Sequence, residues 1–196
     1  MDTTDRNTLR KQLRSLRRGL DQNAQSQAAK GLLQQFLSAN QLKECQRIAI
    51  YIANDGEIDP VEVQNWIWQQ GKECYLPIVI QEQKNSLVFA PVYPDSQFTV
   101  NKFGILEPDY DSKQIIQASE LDLVLLPLVG FDASGNRIGM GGGFYDTTFE
   151  FVKAQQISKP LMMGIAHELQ RVKEISAESW DIPLSTVITD RQVYQF

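Results

Sequence analysis

The sequence predicts an α/β fold with a mainly parallel central sheet, and three observations carry that prediction. Helix-period and strand-period segments alternate along the chain, the pattern of strands joined by crossover helices. The longest apolar run, residues 121–129 (LDLVLLPLV), is nearly continuous rather than alternating, as expected of a strand covered on both faces. The 196 residues, 42% hydrophobic and 22% charged, suit one domain spanning the whole chain.

Taken in order, Leu9, Leu13, Leu16 and Leu20 recur at helical spacing and predict a helix over 5–19. That stripe is its buried face, and Arg10, Arg14, Arg17 and Arg18 fall outside it. A second helix over 24–38 buries Ala28, Leu32, Leu33, Phe36 and Leu37. Residues 47–52 (RIAIYI) are short, branched and apolar, hence a strand. Asp59 as N-cap, Pro60 at the first helical position and Glu62 reaching back then start a helix. Its Val63, Trp66 and Ile67 face inward until Gly71 closes it. Residues 73–80 and 86–92 form strands across a polar turn, with Pro77 and Pro91 marking edges or irregular ends. The stretch 93–120 is turn-rich, and no element is assigned there. After 121–129 come a glycine loop at 135–143, a helix over 144–155, a strand at 161–166 and a last strand at 186–190.

Composition removes several function classes. Two cysteines, Cys45 and Cys74, cannot build a disulfide framework or a four-ligand zinc site and read as core thiols. The single His167 excludes any mechanism needing two imidazoles and reads as a satisfied strand-end residue. Apolar runs stop far short of the roughly 20 residues of a membrane span, and the opening Met-Asp-Thr-Thr-Asp has no apolar stretch behind it. A cytoplasmic protein without membrane partners is expected.

The net charge of -5 is unevenly spread: residues 1–18 carry +4 and the rest of the chain -9. A cationic segment on an acidic body suits phosphates, nucleic acid or an acidic surface, and equally a solvated helix. A nucleic-acid partner is not expected, because the segment lacks the interleaved aromatics that stack bases.

The chemistry concentrates in residues 131–146, FDASGNRIGMGGGFYD, where five of the twelve glycines fall within nine residues. The loop follows a buried strand and precedes a helix, the position at which open α/β sheets bind ligands. Glycines let backbone N–H groups converge on an anion, and Arg137 adds a guanidinium fork suited to phosphate or carboxylate. No Gly-Lys-Ser/Thr follows, and Phe144 stands where a dinucleotide fingerprint would have its third glycine. Phosphate binding is the reading set against a turn required only for packing. Asp146, just past the loop, could serve Mg²⁺ beside a nucleotide or simply favour the helix dipole; position alone leaves both open.

The run GNRIGMGGGFYD, preceded by LPLVGFD, resembles the signature of the 5-formyltetrahydrofolate cyclo-ligases, or methenyltetrahydrofolate synthetases. Further stations match in order: Arg6-x-x-Leu9-Arg10 with Arg17 and Leu20, Ile52 with Gly56-Glu57-Ile58, and Gly71-Lys72 leading to Leu76-Pro77. The Phe103-Gly104-Ile105-x-Glu107-Pro108 box and Trp180-Asp181-Ile182-Pro183-Leu184 complete them. Two positions depart: Phe144 where Tyr is usual, predicting a modest loss of rate, and Thr147 where many bacterial members have Arg.

The resemblance implies a three-layer α/β/α domain with a mainly parallel sheet, NagB/RpiA/CoA-transferase-like, acting as a monomer on a reduced folate with ATP as co-substrate and Mg²⁺. It further implies that Arg6, Asn7, Thr8, Leu9 and Arg10 meet ATP, together with Arg137, Ile138, Gly139, Met140, Gly141, Gly142, Gly143, Phe144 and Tyr145. Met140 to Phe144 also line the formyl group, and Ile52 and Glu57 contact the folate. Arg137 and Asp146 are the implied catalytic residues, and Asp146 and Asp181 the implied magnesium ligands. A phosphosugar isomerase or coenzyme A transferase of similar architecture, or a non-catalytic binding relative, is the competing expectation.

Overall fold

A computed structural model of the chain describes residues 3–39, 42, 44–80, 85–100, 104, 106–155, 159–176, 178, 181–182 and 184–196. Phe103, Ile105, Trp180 and Pro183 of the two boxes above lie outside the described residues. Two helices open the chain, α1 (Thr3–Arg18) and α2 (Gln22–Ser38), followed by strand β1 (Arg47–Ala49) and helix α3 (Val61–Gln69). Strands β2 (Glu73–Val79) and β3 (Leu87–Pro91) come next, then a hairpin of β4 (Phe98–Val100) and β5 (Leu106–Pro108). The second half holds β6 (Leu123–Pro127), the short pair β7 (Gly130–Phe131) and β8 (Arg137–Ile138), and helices α4 (Phe144–Thr148) and α5 (Glu150–Ala154). It closes with β9 (Leu161–Ile165), β10 (Thr186–Ile188) and β11 (Val193–Gln195).

Seven strands form the main sheet in the order β11-β10-β9-β6-β1-β2-β3. The pairs from β10 to β2 are parallel, while β3 and β11 join the two edges antiparallel. Strand parity divides the core. Leu123 and Leu125 of β6 face a cluster with Leu32 and Phe36 of α2 and Val63 and Ile67 of α3. Val124 and Leu126 face the opposite cluster, which contains Phe149 and takes the partly buried Phe144, Tyr145 and Val152 of α4 and α5. Three layers result, and β6 is apolar throughout because neither face meets water.

The helix α1 lies outside these layers, packing Leu13 on Val129, Ile138 and Ile175 beyond the carboxyl end of β6. Here the leucine stripe misleads. Leu16 is 56% exposed, whereas Arg17 is fully buried and Arg6 nearly so. The buried face passes through Arg6, Leu13 and Arg17, rotated from the leucine spacing because backbone oxygens and carboxylates lie to either side of the small apolar cluster under Leu13. In α2 the same kind of rotation leaves Leu37 exposed and Leu33 half-buried, with Ala28, Ala29, Leu32 and Phe36 inside.

Other boundaries shift for local reasons. The β1 ladder ends at Ala49; Ile50 still donates to Tyr75 O at 3.0 Å, but residues 51–53 leave the sheet. Pro60, not Asp59, is the N-cap of α3, and the Asp59 carboxylate accepts from Val61 N at 2.9 Å. The 144–155 helix breaks at Phe149, which is fully buried with φ -105° and joins α4 to α5. Residues 186–190 are not the last strand, since the chain returns as β11 along the edge of β10. Pro77 sits in β2 beyond the end of β1, so the side of β2 opposite β3 needs no donor there. His167 is buried with Nε2 3.2 Å from Gly56 O, and Cys45 and Cys74 are buried.

Candidate active site

Strand β1 neighbours β2 on one side and β6 on the other, so the strand order reverses between β1 and β6. Crevices at the carboxyl ends beside such a reversal are where α/β sheets place ligands. A cleft of about 930 Å³ opens there, floored by Tyr51 and Ile52 after β1 and by Leu126, Pro127 and Leu128 at the end of β6. Ligand clefts of roughly 300–1,000 Å³ are usual, so this one is large.

One wall is the glycine segment. Buried Asp132 fixes its approach: the carboxylate accepts from Ser134 N at 2.9 Å, Asn136 N at 3.0 Å, Asn136 Nδ2 at 2.9 Å and Ile175 N at 2.8 Å. This turn closes the β7–β8 hairpin and delivers Arg137 to the cleft with only 6% of its side chain exposed. Gly141 and Gly143 then take φ of +93° and +69°, conformations costly for any residue with a Cβ. The α4 helix that follows has five residues, too short to add much dipole at this wall.

Side chains from distant segments converge on this wall. The guanidinium of Arg137 pairs with the Asp146 carboxylate, whose Oδ1 also accepts from Ile182 N at 3.3 Å. Burial pushes the Arg137 pKa down, with Asp146 and then Asp181 opposing that effect. Arg6 donates to Ser176 O and to Arg137 O (3.4 Å) and lies 3.5 Å from the Asp181 carboxylate. Arg10 donates to Gly139 O at 2.8 Å and to Asn7 Oδ1. Burial lowers the Arg10 pKa, helped by the neighbouring charges of Arg6 and Arg14. Arg10 thus leans on the glycine segment through neutral oxygens, whereas Arg6 and Arg137 each face a carboxylate.

The opposite wall is the turn after β1, where Asp55 and Gly56 have φ of +56° and +75°. A Cβ on Gly56 would come within 2.9 Å of Arg17 O, so this glycine serves both the turn and the close passage of α1. The turn presents Glu57, whose Oε2 accepts from Asn54 N at 3.1 Å and whose Oε1 lies 3.4 Å from Arg17 Nη2. Burial raises the Glu57 pKa, and Arg17 works against it.

Of the residues singled out from the sequence, Arg6, Arg10, Ile52, Glu57, Arg137, Gly139, Met140, Gly141, Gly142, Gly143, Phe144, Tyr145, Asp146 and Asp181 line this one cleft. Four do not line it. Ile138 is fully buried in the cluster of Leu13, Val129 and Ile175 against which Leu9 packs, and Asn7 and Thr8 are exposed. These positions sit on the outer or core side of the elements that carry the cleft residues. The sequence reading passed over Lys153, which lines the cleft and donates to Asp181 O at 3.5 Å, and over Glu150, also in its lining, while Thr147, noted only as a departure from the family pattern, lines it too. It also passed over Asp55, although Asn54-Asp55-Gly56 directly after a strand is a turn signal that could have located it.

A parallel sheet covered on both faces, with a large cleft at its carboxyl edge and a glycine segment flanked by arginines and carboxylates, defines an α/β enzyme acting on small anionic molecules. The model of the 5-formyltetrahydrofolate cyclo-ligase family matches residues 2–190, and the chain belongs to that family. It is 35% identical over 188 residues to a 5-formyltetrahydrofolate cyclo-ligase of Haemophilus influenzae, covering 96% of this chain and 99% of the relative. It is 33% identical over 184 residues to that of Escherichia coli K12, covering 94% and 100%. The solved structure of Aquifex aeolicus 5,10-methenyltetrahydrofolate synthetase superposes with a TM-score of 0.80 at 26% identity, covering 97% of this chain and 92% of that one.

Proposed function

We propose that the chain converts 5-formyltetrahydrofolate to 5,10-methenyltetrahydrofolate, consuming ATP with Mg²⁺ and releasing ADP and phosphate. A formamide oxygen is a poor leaving group, and resonance from N5 weakens the carbon as an electrophile. Transfer of the γ-phosphoryl group to that oxygen makes an iminium phosphate. N10 then attacks the carbon, its proton is lost, and the carbon–oxygen bond breaks to release phosphate. The protein's part is alignment and charge neutralisation, without a covalent nucleophile.

The observation carrying this reading is that one cleft gathers two chemically different walls, Ile52 with Glu57 on one and Arg10, Arg137 and the glycine segment on the other. In the proposed roles Ile52 packs on the folate and Glu57 accepts its N–H groups. Arg6 and Arg10, the side chains of α1 that reach the cleft, form the ATP site with Arg137 and residues 139–145, while Asn7, Thr8, Leu9 and Ile138 have no side chain in the lining and enter it only as parts of the segments that bear those residues. Arg137 stabilises the phosphoryl group in flight, and Met140 to Phe144 enclose the formyl group.

For Mg²⁺ the test is the donor set. Asp146 and Asp181 are oxygen donors at the cleft, and among the described residues no group of three or more acidic, His or Cys side chains forms a resident metal cage. That fits a cation that takes one or two carboxylates and completes its shell with substrate phosphates and water. Bound there, the ion would neutralise phosphate charge. With the ion on Asp146, the Arg137 guanidinium now paired with that carboxylate would be available to phosphate. We further read the chain as one cyclo-ligase domain, working as a cytoplasmic monomer.

The test is to mix the protein with 5-formyltetrahydrofolate, ATP and Mg²⁺ and follow the near-ultraviolet absorbance of the methenyl product. Product that requires both ATP and Mg²⁺ and is lost in Asp146→Ala is expected. ATP binding without product would instead point to a non-catalytic binding relative.

A further inference from the structure

We infer that Arg17 is a positioning residue for the folate half of the site, orienting the Glu57 carboxylate and tying it to Met140 of the glycine segment. The inference rests on the reading above, in which Glu57 holds the reduced folate. Arg17 cannot itself meet a substrate, because its side chain has no exposure at all. Its donors are instead shared among three segments of the cleft. Nε donates to Asp55 O at 2.9 Å, and Nη1 to Leu128 O at 3.1 Å beyond the end of β6. Nη2 reaches Asp55 Oδ2 at 3.0 Å, Glu57 Oε1 at 3.4 Å and Met140 Sδ at 3.6 Å. A planar guanidinium with five N–H donors can hold such a set in fixed relative positions, which an ammonium cannot.

An asymmetry between the two carboxylates shows where the function lies. Asp55 also pairs with Arg14 at 2.7 Å and with Arg18, so it keeps two cations without Arg17. Among the described residues Arg17 is the one cation paired with Glu57. The other groups facing Glu57 are Arg14 of α1, a cation whose own ion pair is with Asp55, and anionic or neutral groups: Asp55 from its own turn, Tyr51 from the end of β1 and Tyr145 from α4. Loss of Arg17 therefore leaves Asp55 two cations, but strips the one directly paired counter-charge from a carboxylate that offers both oxygens to N–H donors only while ionised. Burial favours the protonated acid at Glu57 and Arg17 the carboxylate, so removing Arg17 moves the protonation of Glu57 to higher pH. The same side chain touches Met140, which places one rigid group between the folate wall and the phosphate wall.

The experiment compares Arg17→Gln, Arg17→Lys, Glu57→Gln and the doubly substituted proteins in the methenyl-product assay, varying folate, ATP and pH. In Arg17→Gln the KM for 5-formyltetrahydrofolate should rise about tenfold, the scale of coupling within one ion-pair network. The KM for ATP should hold, and the acid limb of kcat/KM for the folate should move to higher pH. The charge-retaining Arg17→Lys should return the acid limb to its original place while recovering only part of the KM, its geometry being wrong. In a Glu57→Gln background, Arg17→Gln should add nothing further. Should Arg17→Gln fail to fold, Arg17→Lys alone and combined with Glu57→Gln completes the same cycle. Equal rises in both KM values with an unmoved acid limb, or effects of the two substitutions that multiply, would make Arg17 a structural brace and overturn the inference. Wild-type turnover with an unaltered folate KM in Glu57→Gln also overturns it while leaving the cyclo-ligase reading intact. A wild type that forms no product overturns both.

Discussion

Replacing Arg137 by Ala separates a catalytic role from a structural one. The side chain is 6% exposed and its guanidinium ends on Asp146, whose own side chain is 27% exposed. Truncation removes the donor aimed at the transferred phosphoryl group, and losing one such preorganised donor typically slows kcat about 10²–10³-fold, roughly 3–4 kcal/mol. The folding cost is smaller. A fully buried pair broken on one side costs about 3–5 kcal/mol, but Asp146 faces the cleft, can recover water and keeps its bond from Ile182 N. The backbone contact from Arg6 to Arg137 O also survives. A loss of about 1–2 kcal/mol follows, or a fall in Tm of roughly 3–6 °C for a chain of this length. The assay is initial-rate formation of the methenyl product beside a thermal melt of the same preparation. Arg137→Lys, which keeps the charge without the fork, should fall between the two. Turnover within about threefold of wild type, accompanied by a fall in Tm, would refute the phosphoryl role.

Other predictions follow from the same geometry. Gly139 has nothing within 4 Å of where a Cβ would stand, so Gly139→Ala should leave Tm unchanged; if the segment cradles phosphate, the KM for ATP should rise. Gly31 of α2 is the opposite case: a Cβ there would lie 2.4 Å from the backbone oxygen of Asp190, and Gly31→Ala should cost about 1–3 kcal/mol in a urea titration despite its better helix propensity. Burial alone would raise the Asp55 carboxyl pKa, but hydrogen bonds from Arg14, Arg18 and Arg17 hold it at about 2. A folded pKa below the usual 3.8 means that the stabilisation is complete above that value and is lost as pH falls toward 2. Unfolding midpoints measured across that range should fall for the wild type and flatten in Asp55→Asn. Substituting Asp181→Asn should raise the Mg²⁺ concentration needed for half-maximal turnover, and an unchanged requirement would remove Asp181 from the metal site.

What the sequence made legible were the features written in local chemistry. The unbroken apolar run of β6 could only be a strand covered on both faces, and the strand–helix alternation required a layered parallel sheet. The glycines at 139–143 and Arg137 marked a segment of the site, and these residues do line the cleft. Less legible were the 93–120 stretch, whose β4 and β5 are three-residue strands with too few residues to show a period, and β11, which follows its partner after a tight turn.

Burial of charge could not be read from one dimension. In α1 the leucines repeat convincingly, yet Leu16 faces water and Arg17 lies inside, since a helix resting on carboxylates and carbonyl oxygens is best covered by guanidinium. The sequence by itself therefore determined the layers of the fold and located the glycine segment that lines the cleft. Only the tertiary structure decided which arginines enter the cleft, that Arg137 and Asp146 pair on one of its walls, and that Arg17 pairs with Glu57. Those pairings join residues up to 40 positions apart on separate elements, and their energy exists only once folding has excluded water from between them.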